Sequence, residues 1–158
     1  MDSREFRNAM GKFATGVTVI STDVDGDYHG MTANGFMSIS LDPALVAISI
    51  GERAQTLKLI QESKRFGVSI LAKEQLDISK RFAGQVNVEE PFQFDVSNGF
   101  PVVAGALVQI ICRVEQEILA GDHTIFLGHP EQVYVKDGEP LLFASGQYAS
   151  LNTQYVTS

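Results

Sequence analysis

Apolar residues recur along this chain with two different spacings. Phe6, Met10 and Phe13 recur at helical spacing and predict an amphipathic helix over residues 3–13. After Gly16 the period changes, and β-branched or continuous apolar runs bounded by turn residues predict strands. The expected strands cover residues 17–22, 28–32, 44–50, 66–71, 106–119, 124–134 and 140–143. Two further helices are expected over residues 54–63 and 73–82.

Glycine-containing turn signals separate the strands. Asp25-Gly26 predicts a tight hairpin, Gly121-Asp122-His123 a turn between two long strands, and Asp137-Gly138 a further hairpin into residues 140–143. Residues 85–101, with an Asn98-Gly99 turn, are expected to be irregular. Strands joined mostly by hairpins, with a few short helices, predict a mainly β chain folded as an antiparallel barrel. Residues 1–158 are enough for a single domain.

The segment over residues 30–43 is polar although it lies between two predicted strands. It places Thr32, Asn34, Ser38 and Ser40 within nine residues. Unpaired buried polar groups cost free energy, so the segment is expected to meet a polar ligand. The alternative is a polar strand edge that faces solvent, with its hydroxyls bonded to local backbone.

Three further places offer chemistry. Gly121-Asp122-His123 would hold a histidine at the rim of the barrel, with Asp122 able to orient it; the alternative is an exposed histidine in a tight turn. Residues 53–56 open a predicted helix whose free amides could meet a phosphate, or could simply be capped. Residues 80–84 end another helix, where Lys80 and Arg81 suit the helix dipole or could contact an adenylate or phosphate.

Composition and charge exclude several classes of partner. Twelve basic and nineteen acidic residues give a formal charge of -7, which argues against nucleic acid, because phosphate binding needs a concentrated basic face. Cys112 is the only cysteine, and it is expected to be a small core residue. No apolar leader or membrane-spanning stretch is visible, so a cytoplasmic location and no membrane partner are expected. The three histidines have no metal-ligand spacing, so no metal is expected.

Several segments, taken in order, resemble the short-chain flavin reductase family, whose members are reductase components of two-component flavin-dependent aromatic monooxygenases. The segments are FRNAMGKFATGVTV (residues 6–19), GMTANGF (30–36), SLDP (40–43), FAG (82–84), GAL (105–107), GDH (121–123) and PLL (140–142). The similarity spans residues 5 to about 148. It implies a split β-barrel, Greek-key-like and flavin-binding, that forms a homodimer with flavin near the subunit interface.

The resemblance also implies roles for individual residues. The flavin-binding set is Thr32, Ala33, Asn34, Gly35, Ser38, Ser40, Ser49, Ile50, Thr56, Phe82, Ala83 and Gly84. The nicotinamide pocket is expected to contain Thr15, Gly16, His123 and Tyr148, with His123 positioning the nicotinamide. The cofactors carry the chemistry, so the protein is expected to hold the two rings at near-attack distance and to stabilise the charge of reduced flavin.

The implied activity is reduction of FAD or FMN by NADH or NADPH, with reduced flavin diffusing to a separate oxygenase component, an aromatic hydroxylase. The shortage of basic residues favours NADH, because a 2′-phosphate usually needs an Arg. One alternative is a flavin-binding electron carrier without nicotinamide turnover. Another is a split-barrel oxidase acting on a pyridoxine-type phosphate, which would require more Arg and Lys than this acidic chain has.

Three places depart from the family pattern. Gly35 stands where the family often has serine, and Gly128-His129-Pro130 is unusual after the Gly-Asp-His turn. The tail Phe143-Ala144-Ser145-Gly146 lacks the arginine often found near there.

Overall fold

The computed structural model describes residues 1–97 and 99–152, so Asn98 of the Asn98-Gly99 turn lies outside the described residues. In chain order the elements are α1 (Ser3–Met10), β1 (Thr15–Gly16), β2 (Thr18–Val24), β3 (Asp27–Ala33), β4 (Phe36–Leu41), β5 (Ala44–Gly51), α2 (Gln55–Ser63), β6 (Arg65–Ile70), a 3-10 turn (Lys73–Gln75), α3 (Leu76–Phe82), β7 (Asp95–Ser97), β8 (Phe100–Val102), β9 (Val108–Ala120), β10 (His123–Val135), β11 (Leu141–Ala144) and β12 (Gln147–Ser150).

Seven strands form one antiparallel sheet in the order β3-β2-β6-β9-β10-β5-β4. Its two edge strands are neighbours in sequence, because β3 ends at Ala33 and β4 begins at Phe36. Three residue steps span at most about 11 Å, so the sheet must curve until its edges meet at Asn34-Gly35. The edges do not pair with each other, and the sheet is therefore split rather than closed. The prediction of a mainly β split barrel is confirmed.

Apolar side chains pack in two main clusters. One is built on Ile20, Ile48, Phe66 and Phe126, all fully buried. Cys112 belongs to the same cluster, and burial raises the pKa of its thiol to about 12. The other cluster packs against the apolar side of α3. Its buried members lie on β2 and β11 and in the segments that flank β2, β6 and β8: Val17, Val19, Leu71, Val103, Ala106 and Leu141. The predicted core role of Cys112 is confirmed.

The pairing of a smaller, three-stranded sheet differs from the predicted hairpin at Asp137-Gly138. β11 pairs with β1 and β12, in the order β1-β11-β12, and not with β10. The expected hairpin at Asp137-Gly138 is therefore wrong. After β10 ends, the Lys136 N–H donates a hydrogen bond to the Leu107 carbonyl. Pro140 then forms an isolated β-bridge with Ala72. Two strand residues are too few to show a period, so sequence analysis missed β1.

Other boundaries also differ from expectation. β4 was expected to be a polar connection and is an edge strand, while β7, β8 and β12 lie in segments predicted as irregular or left unassigned. α1 ends at Met10, where Gly11 caps it, and not at residue 13. The predicted helix over residues 73–82 is divided into a 3-10 turn and α3. The hairpins at Asp25-Gly26 and at Gly121-Asp122 are confirmed.

The unusual Gly128 has a packing explanation. It lies on β10 at a register shift, beneath the buried ring of Phe66. A β-carbon there would lie 2.8 Å from Phe66 Cε1 and 3.0 Å from Cys112 Cβ. Real β-carbons do not approach a ring this closely, so only glycine fits on β10 beneath this ring.

Replacing Gly128 with Ala should lower the free energy of unfolding by about 2–3 kcal/mol, because the added methyl group overpacks a closed core. Urea denaturation followed by circular dichroism measures this change. Gly16→Ala is the matched control, because a β-carbon at Gly16 meets nothing within 4 Å. Equal stability of the two variants would contradict the packing account.

Candidate functional site

A groove of about 480 Å³ opens beside the seam of the main sheet. We call it the seam groove. It lies between the end of α1, β1, the Asn34-Gly35 connection and the middle of β5. Its lining residues are Phe13, Ala14, Thr15, Gly16, Asn34, Gly35, Phe36, Met37, Ala47, Ile48, Ser49 and Ile125. Small-molecule pockets of this size with mostly apolar walls and a few polar groups are typical of cofactor sites.

Thr15 carries the clearest sign of a ligand in this groove. Its Oγ1 is the one side-chain oxygen or nitrogen that is buried without a hydrogen-bond partner across residues 1–97 and 99–152. Leaving a buried hydroxyl unpaired costs about 1–3 kcal/mol. A bound molecule would remove that cost only if the Thr15 side chain turned toward the groove, because Oγ1 is closed to solvent in this structure.

The opposite wall is built by a close approach of two backbones. Gly35 accepts a hydrogen bond of 2.8 Å from the N–H of Ser49, and a β-carbon at Gly35 would lie 3.0 Å from Ser49 Cβ. A serine at position 35 would therefore crowd β5. The absence of a side chain leaves a flat wall, which suits a planar ring lying against backbone amides.

The groove brings together five residues of the predicted sets: Thr15, Gly16, Asn34, Gly35 and Ser49. Asn34 and Gly35 are exposed, and Ser49 is half-buried. The walls also contain apolar residues that sequence analysis did not select, notably Phe13, Phe36 and Ile125. Phe13 and Phe36 lie within segments that carry the family resemblance, whereas Ile125 looks like an ordinary strand residue.

Thr32 and Tyr148 lie outside the groove, where both contact Ser79. The Thr32 hydroxyl donates to the Ser79 carbonyl oxygen at 2.6 Å, and the Tyr148 hydroxyl lies 2.8 Å from Ser79 Oγ. Tyr148 also packs edge-on against Phe143, with ring centroids 5.2 Å apart. Ser79 is fully buried and ties β3, α3 and β12 together, and sequence analysis missed it.

Further predicted residues serve the scaffold within one chain. Ala33 and Ile50 belong to the apolar core, and the Ala33 carbonyl accepts a hydrogen bond from Thr18. Thr56 is buried in the first turn of α2. Ser38 and Ser40 lie on the edge strand β4, where Ser38 is exposed and Ser40 half-buried.

Phe82 lines a second cavity, of about 600 Å³, beside the β2–β3 hairpin. Its ring belongs to an aromatic cluster with Phe92 and Phe94, at centroid distances of 4.8 and 5.6 Å. A β-carbon at Gly30 would lie 2.8 Å from the Phe82 ring, so the ring fills the space over β3. Ala83 and Gly84 follow at the exposed end of α3.

His123 lies in a third cavity, of about 340 Å³, with Arg53, Asp122 and the backbone of Gly51. Its Nδ1 lies 2.7 Å from Asp122 Oδ1, and this hydrogen bond lowers the pKa of the Asp122 carboxyl. The Asp122 carbonyl also accepts the Glu52 N–H at 2.9 Å. The pairing leaves Nε2 as the ring nitrogen directed away from Asp122.

In the described residues, no group of three or more His, Cys, Asp and Glu side chains could hold a metal ion. No helix in the same part of the chain is long and apolar enough to cross a membrane.

Comparison with known proteins assigns the chain to a family. Residues 10–152 match the family described as "Flavin reductase like domain". An NADH-dependent flavin reductase from Rhodococcus sp is 43% identical over 148 residues, covering 92% of this chain and 84% of that protein. The reductase component of 4-hydroxyphenylacetate 3-monooxygenase from Thermus thermophilus is 36% identical over 147 residues, covering 92% and 95%.

A solved structure agrees. Flavin reductase PheA2 in its native state superposes with a TM-score of 0.94 at 52% identity, over 97% of this chain and 100% of that one. The resemblance inferred from the ordered motifs is confirmed, and this chain belongs to the flavin reductase-like family.

Proposed function

We propose that this chain is an NADH-dependent flavin reductase that reduces FAD or FMN and supplies reduced flavin to a separate monooxygenase component. The observation that carries the proposal is the seam groove, where Thr15, Gly16 and mostly apolar side chains face a flat backbone wall. Homologues bearing the name NADH-dependent flavin reductase support the reaction and the choice of NADH.

The groove fits a flavin ring on chemical grounds. Such a ring has an edge of carbonyls and ring nitrogens and an apolar edge, and the groove offers both kinds of surface. Asn34 and the backbone at Gly35 and Ser49 would meet the polar edge, while Phe36 and Ile48 would meet the apolar edge. When bound, flavin supplies the hydride acceptor, so no protein acid or base is required.

The residues of this chain then act by position and charge. Asn34 would donate to the edge of the bound ring on which negative charge develops, and a preorganised donor there would stabilise that charge. Thr15 and Gly16 form the facing wall and hold the nicotinamide. Phe13 and Met37 border the groove, and both are exposed in the single chain.

His123 is proposed to position the nicotinamide or its carboxamide. The Asp122 hydrogen bond fixes the orientation of the imidazole and leaves Nε2 available. Within one chain His123 lies in a cavity separate from the seam groove. The proposed role therefore requires that NADH, or a second subunit, spans both spaces. Roles for Thr32, Ala33, Ser38, Ser40, Ile50, Thr56, Phe82, Ala83, Gly84 and Tyr148 in flavin or nicotinamide binding remain predictions of the family resemblance.

The partner is proposed to be an oxygenase that hydroxylates an aromatic substrate. The Thermus thermophilus relative carries the name of a hydroxyphenylacetate monooxygenase reductase, which supports this class of partner. An open groove suits a flavin that leaves after reduction. A cytoplasmic location stays a prediction, which fractionation of the native host would test.

A homodimer is proposed because apolar residues at the border of the seam groove are exposed to solvent within one chain. α1 has no buried residue, and an apolar stripe along it points outward: Phe6 and Met10 are 50% and 55% exposed, and Phe13, just beyond the helix, is 80% exposed. Arg7 and Asn8, on its other side, line a cavity against the chain's own β11–β12 turn. A second copy that covers this stripe would also cover Phe13 and Met37 at the groove.

Purified protein should oxidise NADH at 340 nm only when FAD or FMN is added, because the flavin accepts the hydride. The flavin that gives the larger kcat/KM identifies the preferred acceptor. Flavin binding without NADH oxidation would instead indicate an electron carrier. Neither binding nor turnover would contradict the proposed function.

Replacing Thr15 with Val should lower kcat/KM for NADH about tenfold, because a hydrogen bond to the bound donor is lost. The free energy of unfolding should stay equal or rise, because an unpaired buried hydroxyl is removed. Thr15→Ser is the matched control and should retain most of the activity. Equal activity of the Val and Ser variants would show that the hydroxyl binds nothing.

Replacing His123 with Ala should raise the NADH KM or slow hydride transfer, while flavin affinity changes little. Stopped-flow kinetics and flavin fluorescence quenching separate the two effects. His29→Ala is the control, because His29 forms a similar pair with Asp27, 3.1 Å apart, on a different hairpin. An unchanged reaction rate for His123→Ala would exclude the positioning role.

The protein should sediment at twice the 17.2 kDa mass of one chain. Met10→Glu places a charge in the proposed interface without touching the groove, so it should yield monomers that bind flavin more weakly. Val96→Glu, at a residue that is 44% exposed on β7, is the control and should stay dimeric. A wild-type monomer with full activity would refute the dimer proposal.

A further inference from the structure

The connection between β3 and β4 is an Asn-Gly pair, Asn34-Gly35, and it lines the seam groove. In the sequence the same pair occurs once more, at Asn98-Gly99. An asparagine that precedes glycine loses its side-chain amide more readily than other asparagines, because glycine places no side chain in the path of the reacting backbone nitrogen. The family often has serine where this chain has Gly35, so the reactive pair at the groove is a departure from that pattern.

The local structure leaves both reacting groups free. Asn34 and Gly35 are exposed. The hydrogen bonds of the connection use carbonyl oxygens: the Phe36 N–H donates to the Asn34 carbonyl at 2.9 Å, and the Ser49 N–H donates to the Gly35 carbonyl at 2.8 Å. Among the described residues, no hydrogen bond occupies the Asn34 side chain or the Gly35 nitrogen. The side-chain amide carbon and its nucleophile are therefore both available to react.

The reaction is a cyclisation followed by hydrolysis. The Gly35 nitrogen attacks Asn34 Cγ, a new N–C bond forms, and the bond from Cγ to the side-chain nitrogen breaks. The side-chain nitrogen leaves as ammonia and takes the proton of the Gly35 nitrogen with it. Water then opens the cyclic imide at either of its carbonyl carbons, which yields aspartate or isoaspartate at this position. No atom is oxidised or reduced.

Either product would alter the flavin-facing wall of the groove. A carboxylate cannot donate the hydrogen bond that the Asn34 amide offers, and it brings a negative charge to the place where reduced flavin becomes negative. Isoaspartate also routes the backbone through Cβ, which lengthens the short connection between the two edge strands. Because like charges repel, we expect reduced flavin to lose more affinity than oxidised flavin.

We infer that Asn34 is a site of spontaneous deamidation that bound flavin protects, and that its conversion disables the flavin site. A flavin that accepts a hydrogen bond from the Asn34 amide holds this side chain away from the Gly35 nitrogen. The protection rests on the proposed function, whereas the reaction depends only on the connection itself. Flavin-free protein therefore loses activity with age, and flavin-loaded protein keeps it.

Peptide mapping by mass spectrometry tests the inference. Protein incubated without flavin at mildly alkaline pH should convert Asn34, and saturating FAD or FMN should slow this conversion severalfold. Asn98 is the internal control, because it belongs to the same dipeptide in the same molecule and its conversion should not respond to flavin. The remaining rate of NADH oxidation should fall in step with the converted fraction of Asn34.

Two variants separate the reaction from its effect. Asn34→Asp, made directly, should show the weakened binding of reduced flavin that the aged protein shows. Gly35→Ser should slow the conversion of Asn34 while Asn98 keeps its rate, because a β-carbon hinders ring closure. That β-carbon would lie 3.0 Å from Ser49 Cβ, so circular dichroism checks that the variant is folded.

Three results would overturn the inference. One is an Asn34 that stays intact in flavin-free protein while a synthetic peptide of residues 30–40 converts. Another is equal conversion with and without the flavin that supports NADH oxidation. The third is full activity of Asn34→Asp. Failure of the proposed function is separate, because fresh wild-type protein would then neither bind flavin nor oxidise NADH, whatever happens to Asn34 later.

Discussion

The fold and the candidate site both depend on one constraint: the two edge strands of a seven-stranded sheet are consecutive in sequence. Only Asn34 and Gly35 separate β3 from β4, so the sheet must bend until its edges almost meet. The bond from the Ser49 N–H to the Gly35 carbonyl fixes one side of the seam. The seam cannot close, and the space beside it becomes the groove where the polar residues collect.

Glycines make this curvature possible where side chains would collide. Gly128 leaves room for the Phe66 ring inside the sheet, and Gly35 lets the connection lie against β5. Both positions depart from the family pattern, and both are explained by packing in this chain. The small sheet β1-β11-β12 then closes one end of the groove and presents Thr15 to it.

Local pattern predicted most of the long strands, because β5, β6, β9 and β10 have strong apolar runs and clear turns. It did not predict β1 or the pairing of β11, since these depend on contacts between distant segments. The candidate site was predicted in part. Asn34, Gly35, Ser49, Thr15 and Gly16 come together in the seam groove, whereas Thr32 and Tyr148 converge on Ser79. A hydroxyl in a sequence does not reveal whether backbone or ligand will satisfy it.

The most direct test of the account is a crystal structure of the protein with flavin and NAD bound. The account predicts the flavin ring in the seam groove against Asn34 and Gly35, with a polar atom of the nicotinamide within about 3.2 Å of Thr15 Oγ1. A flavin ring lying instead among Phe82, Phe92 and Phe94, with the Thr15 hydroxyl still unpaired, would contradict it.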